Sequence, residues 1–329
     1  MQTTVETPAT RWLFRPFSPL RERRPKSQNH PFTRFWHSPR VRSARHLFSA
    51  RRWYGLLTAE ERRLPDFLIA GAQKSGTTSL YAYLSEHPQV AAPMTKELSF
   101  FDNHFDRGLH WYRSHFPLLE AHLPDVYPRL PSLSGESTAY YLCHPHAARR
   151  IADTLPRVKI ILLLRNPVDR AFSHYQLNLR RGKERLSFEA AIAAEATRLS
   201  GERNRMLRCQ HYHSFAHEKY SYLARGRYAE QITIWQEHFS PRQLLVIESG
   251  EFFRSTGPVF DRVLDFLDLP RWRPARFGNR FPGNYLDSMD PATRDRLIDY
   301  FAPHNERLYA LLSRRFDWDH AGELTCAAA

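Results

Sequence analysis

Long apolar runs are missing from this chain. Nowhere among its 329 residues does an apolar stretch approach the ~20 that a membrane-crossing helix needs, and no secretory apolar core is visible near the N-terminus. The default expectation is a soluble, cytoplasmic protein, with organelle targeting by a basic leader as the alternative. Cysteine is scarce. Cys143, Cys209 and Cys326 are scattered without metal-ligand spacing, which argues against a zinc site and against a disulfide framework; a Cys209–Cys326 bridge stays open. No HxxE, DxD or carboxylate pair at ligand spacing stands out, so no metal is expected, and there is no internal repeat.

Positive charge is plentiful and unevenly placed. Residues 1–63 hold 14 Lys/Arg against 4 Glu, a net of +10 out of +14 for the whole chain. The stretches RERRPKSQNH and SPRVRSARHLFSARRWYG have little apolar periodicity and several prolines, the composition of a largely disordered extension. Such a tail can touch anionic lipid or nucleic acid, or simply be solvated. The remainder, 42% hydrophobic and 13% aromatic counted over the whole chain, fits a globular protein with a substantial core. The expected organisation is an extension over 1–63, one domain over 64–318 and a short tail over 319–329.

Within that domain, apolar runs alternate with helical patterns. Strands are expected over 66–70, 158–164 and 244–248, with a further short strand near 94–101 and a strand end near 134–142. Helices are expected over 76–86, 108–117, 144–155, 167–181, 187–200, 218–239, 256–267 and 291–315, with loop over 270–289. VKIILLL at 158–164 is the most apolar run, bounded by Arg157 and Arg165, as in a strand buried on both faces of a parallel sheet. Asn166-Pro167 then suits a helix start. The pattern predicts a doubly wound, mostly parallel α/β sheet flanked by helices, with ligands beyond the C-terminal ends of its strands.

Two segments carry chemistry. In FLIAGAQKSGTTSL (67–80), an apolar strand runs into a glycine loop and then a helix start, the design of a phosphate cradle. Gly71 and Gly76 have Walker A spacing, but Thr77 stands where that motif has its lysine, and the lysine is Lys74. In RNPVDRAFS (165–173), an arginine at a strand end and Ser173 two turns into the next helix can hold a second anionic group.

Together, in order and about 90 residues apart, these segments resemble the P-loop-like sulfotransferases that use 3′-phosphoadenosine 5′-phosphosulfate (PAPS) and release 3′-phosphoadenosine 5′-phosphate (PAP). Their patterns K-[ST]-G-T-[TS] and R-[ND]-P-x-[DE]-x-x-x-S are both met. The resemblance, strongest to the heparan sulfate, other carbohydrate-type and related bacterial enzymes, spans roughly residues 64–315. It implies that Gln73, Lys74, Ser75, Gly76, Thr77 and Thr78 hold the 5′ end of the donor. Lys74 would sit at the bridging oxygen where leaving-group charge develops. Arg165 and Ser173 would hold the 3′-phosphate. MTKELSFF makes Glu97 the expected base, with His104 and His110 as alternatives. ARGRYAEQITIW places Tyr228 near the adenine. FGNRF makes Gly278, Asn279 and Arg280 the late-loop contacts.

Two departures bear on the acceptor. Many carbohydrate-type members have Glu-Lys where this chain has Glu136-Ser137, and the late loop is less basic than usual. The expected activity is therefore sulfuryl transfer to a hydroxyl or amine of a carbohydrate-like or hydroxylated small molecule, with the oligomeric state open. The alternatives are a P-loop kinase with an altered loop, which the absence of a Mg²⁺-holding Asp after Leu164 disfavours, and a nucleic-acid or anionic-surface binder acting through its tail.

Overall fold

Phe67–Gly71 (β1) and Lys159–Leu164 (β4) carry no polar side chain except Lys159, and they lie side by side, parallel, at the centre of a sheet. The structure, a computed structural model, describes residues 50–119, 133–278 and 288–318. Val90–Ala91 (β2), Leu133–Ser137 (β3) and Leu244–Glu248 (β5) complete the five-stranded sheet in the order β2-β3-β1-β4-β5, every pairing parallel.

Both faces of the sheet are covered, so its central strands alternate between two cores. Leu68, Ala70, Ile160, Leu162 and Leu164 face a layer containing Phe100, Tyr141, Ile151, Trp235 and Leu308. Phe67, Ile69, Ile161 and Leu163 face Leu80, Leu84, Phe252, Phe260 and Val263. Burial on both sides is what removes polar residues from β4. The helices that matter for the site are Thr77–Glu86 (α1), Phe100–Asn103 (α2), Gly108–Arg113 (α3), Ala147–Thr154 (α4), Pro167–Arg180 (α5), Tyr228–Gln236 (α6), Thr256–Phe266 (α7) and Pro291–Leu312 (α8).

The start of α5 is set as its sequence suggests: the Asn166 side chain accepts from the Val168 amide at 3.0 Å and Pro167 occupies the first turn. Elsewhere the chain departs from the expected elements. Residues 94–101 form no strand; the sheet is extended by β2 at 90–91 instead, and α2 begins at Phe100. The single helix expected over 218–239 is broken between Lys219 and Tyr228. There Gly226 lies under the Phe301 ring, where an added Cβ would approach to 2.7 Å. Residues 51–63 fold against the domain, with Ala59 and Arg62 buried and Arg62 donating to the Phe116 carbonyl.

Gly135, at the middle of β3, faces the Phe67 ring so closely that a Cβ would meet it at 2.1 Å. Overpacking of this kind typically costs about 1–3 kcal/mol. Gly135→Ala is accordingly expected to lower the urea midpoint without changing the denaturant slope; an unchanged midpoint contradicts the packing described.

Candidate active site

The loop after β1 and the end of β4 meet at the C-terminal edge of the sheet. Lys74 and Gly76 both have positive φ, 73° and 95°, which turns the backbone sharply into α1. Left-handed conformation is costly for a lysine and persists where its surroundings impose it. At Gly76 a Cβ would also collide with the Phe253 ring at 2.9 Å. Arg165, leaving β4, donates from Nη1 to the Lys74 carbonyl at 3.2 Å, joining the two predicted anion-binding segments. Ser75 and Thr77 are buried at the cradle, while Gln73, Lys74, Gly76 and Thr78 keep part of their surface.

The electrostatics of the cradle are one-sided. Burial pulls the Lys74 ammonium down to about 8, and Arg180, Arg165 and Arg181 push it the same way. Lys96 reaches the cradle from the opposite side and donates a short hydrogen bond to Thr78 Oγ1. Burial lowers its pKa as well, against the opposite pull of Glu97, whose carboxylate is 3.8 Å away.

Glu97 and Ser99 also have positive φ, 57° and 52°. Three of the strained non-glycine residues, Lys74, Glu97 and Ser99, thus lie in the two turns that Lys96 and Thr78 join. The second turn hangs from a buried carboxyl group. Glu136 ends β3 fully buried, and its oxygens accept from Tyr141 at 2.7 Å, from Thr138 at 2.6 Å and from Tyr112. Tyr141 Oη accepts in turn from the Phe100 amide at 2.9 Å, and Thr138 Oγ1 from the Ser99 amide at 3.3 Å. Burial raises the Glu136 carboxyl, against the lowering effect of these donors.

The other expected site residues are placed as follows. Glu97, the expected base, has a side chain that is 59% exposed. Nearer the core, burial raises the carboxyl groups of Glu136 and Asp102. Asp102 is pushed up to about 8, mainly by burial, with neighbouring Glu136 and Glu218 adding to the effect. Tyr228 does not present a ring for stacking: it is 1% exposed and donates from its hydroxyl to the Arg165 carbonyl at 2.9 Å, bracing that arginine from beneath. Ser173 is buried on α5. His110 faces away from the cradle, between the Leu56 carbonyl at 2.9 Å and Glu60 at 3.2 Å, and His104 packs its ring edge-on to Trp111. Gly278 is tied to α1 through Tyr83, which donates to its carbonyl at 2.8 Å. Asn279, Arg280 and Cys326 lie outside the described residues.

Arg225 was not among the expected residues. It is buried and donates to Gln73 Oε1 at 2.8 Å, to Ser221 Oγ at 2.9 Å and to the carbonyls of His217 and Glu218 at 3.1 and 2.6 Å, while lying 4.6 Å from the Tyr140 ring centre. With its oxygen held, the Gln73 amide is fixed with its NH₂ group turned away from Arg225. Tyr140 Oη and His217 Nδ1 share a hydrogen bond of 2.7 Å, and burial pulls His217 down to about 3, keeping that ring neutral. An aromatic and histidine wall thus flanks the cradle. In the sequence, the ARGRY segment was the available signal for Arg225, and the aspartate after the aromatic pair was the signal for Asp102.

The family model for the sulfotransferase domain matches residues 64–275. The Dictyostelium discoideum membrane-associated sulfotransferase kil1 is 29% identical over 78% of this chain and 67% of its own length. The human bifunctional heparan sulfate N-deacetylase/N-sulfotransferase 3 is 30% identical over 77% of this chain, which spans only 30% of that enzyme. A crystal structure of a sulfotransferase from Alicyclobacillus acidocaldarius superposes with a TM-score of 0.58 at 34% identity, covering 78% of this chain and 100% of that one.

A carboxyl group raised from the usual 3.8 to about 8 binds its proton more tightly folded than unfolded, so Asp102 erodes stability as pH rises between about 4 and 8. Asp102→Asn removes that erosion. Its Tm, measured by calorimetry, is expected to gain on the native chain across this window; a constant offset at every pH contradicts the assignment.

Proposed function

The chain belongs to the sulfotransferase family, and on that premise we propose that it transfers a sulfuryl group from PAPS to an amine or hydroxyl of a carbohydrate acceptor. The observation that carries the donor site is the 3.2 Å contact between Arg165 and the Lys74 carbonyl, which holds cations from two strand ends over one cradle. The surplus positive charge around Lys74 matches a donor bearing a phosphosulfate and a 3′-phosphate. The heparan sulfate relatives and the Tyr140–His217 wall support a sugar acceptor. On this reading residues 64–318 are the catalytic domain behind a basic extension, and the late-loop contacts are Gly278, Asn279 and Arg280.

The donor supplies an activated sulfuryl group on a phosphate leaving group; the chain supplies placement and charge. The backbone amides at the start of α1, with Gln73, Ser75, Thr77 and Thr78, orient the 5′ end. Arg165 and Ser173 fix the 3′ end, which sets the line of displacement. Lys74 neutralises the charge that develops on the leaving oxygen. Lys96, held on Thr78, brings a second ammonium within reach of the sulfuryl oxygens and keeps Glu97 beside it. Glu97 accepts the acceptor's proton. The residue immediately after β4 is Arg165, where a P-loop kinase would carry a Mg²⁺-holding aspartate, and this favours sulfuryl over phosphoryl transfer.

Calorimetric titration with PAP tests the site. Micromolar affinity is expected, with Arg165→Ala weakening it by about tenfold to a hundredfold, the scale of a lost charge-assisted contact, and with adenosine 5′-phosphate binding much worse. Because an anion binds the protonated ammonium, affinity falls as pH rises through about 8, where Lys74 loses its proton, and Lys74→Arg flattens that limb. Binding indifferent to the 3′-phosphate overturns the donor assignment.

A further inference from the structure

No helix among the described residues is long and apolar enough to cross a membrane. The chain nevertheless concentrates exposed apolar side chains in one place. The helix over 50–57 leaves Trp53 66%, Tyr54 54% and Leu57 82% exposed, although each is large and apolar or amphipathic. At positions i, i+1 and i+4 these three share one face of the helix. Leu109 and Leu119, also exposed, lie on segments tied to this region. Leu109 neighbours His110, which donates to the Leu56 carbonyl, and the Leu119 amide donates to the Glu61 carbonyl at 2.7 Å. These five are half of the ten exposed large apolar residues among the described residues.

The opposite face of the helix is fixed. Gly55 is buried, and an added Cβ there would meet the Ser114 carbonyl oxygen at 2.5 Å and Met94 Cε at 3.1 Å. The exposed face is therefore held outward by close packing. Arg51 and Arg52 are exposed beside the stripe, Arg62 lies 5.4 Å from the Tyr54 ring centre, and residues 1–63 carry 14 Lys/Arg against 4 Glu. A tryptophan, a tyrosine and a leucine in a field of arginine is the chemistry of a helix that lies in the headgroup region of an anionic bilayer, with aromatic rings at the boundary and cations on the phosphates. Nucleic acid would use the cations and leave Leu57 in water; a second copy of the chain would bring the same positive charge against itself.

We infer that the face formed by Trp53, Tyr54 and Leu57 docks the protein on an anionic lipid surface. Met94 packs on this helix two residues before Lys96, so docking holds the Lys96–Glu97 turn close to the membrane without the chain spanning it. The inference is independent of the donor assignment.

Co-sedimentation of the full chain with phosphatidylcholine vesicles, with and without phosphatidylserine, tests it. Binding to the anionic vesicles alone is expected, weakening as salt rises. Leu57→Glu should lower the partition coefficient roughly tenfold, the loss of one buried leucine, and Arg51→Glu/Arg52→Glu should lower it further, while both variants keep the native affinity for PAP as a control on folding. Three results overturn the inference: no vesicle binding; undiminished binding by Leu57→Glu, which leaves the basic extension as the only contact; or a concentration-dependent dimer abolished by Leu57→Glu, which makes a second copy the occupant.

Discussion

The Glu136 carboxyl group, with no exposure to water near the end of β3, holds the edge of the proposed site together. It receives hydroxyl hydrogen bonds from Tyr112 on α3 and from Thr138 and Tyr141 in the turn after β3. Two of those hydroxyl groups accept amides from the turn at Ser99–Phe100. A buried carboxylate without donors is severely destabilising, and with them it becomes a fixed node. Removing one such hydrogen-bond partner typically costs on the order of 1–3 kcal/mol. The Lys96–Glu97 turn is therefore held from inside the domain and is poised over the cradle by more than its own contacts.

Around that node the site is assembled from elements that pack on both faces of the sheet. β1 delivers Lys74, β4 delivers Arg165, and Tyr228 on α6 braces the Arg165 carbonyl from below. Arg225 locks Gln73 to the segment preceding α6. Lysine and arginine groups gather at one edge, and Lys74, depressed first by its burial, is pushed further down by Arg180, Arg165 and Arg181. Such an edge is costly until an anion arrives, and a polyanionic donor converts that cost into affinity.

The cradle and the arginine strand end were legible because their signals are local. An apolar strand, a glycine turn and a helix start occupy adjacent residues, and Asn166-Pro167 caps its own helix. What could not be read depends on distant partners. Glu136 meets Tyr112 across 24 positions and Arg225 meets Gln73 across 152, and neither pairing leaves a periodicity in the chain. Tyr228 shows the same limit: its motif was visible, but only packing reveals that its hydroxyl supports Arg165 and that its ring is sealed in the core. Glu97 was picked out only through the resemblance of MTKELSFF, and the left-handed turn that carries it is not announced by the sequence.

The central claim is that this edge moves a sulfuryl group. Incubating the full chain with PAPS labelled in its sulfuryl sulfur, together with N-desulfated heparan oligosaccharides, and following label and PAP together tests it most directly. Label on the oligosaccharide in step with PAP release is the predicted result, abolished in Lys74→Ala and strongly slowed in Glu97→Gln. Intact donor with every amine- or hydroxyl-bearing sugar offered, or phosphoryl transfer from ATP in its place, would contradict the account.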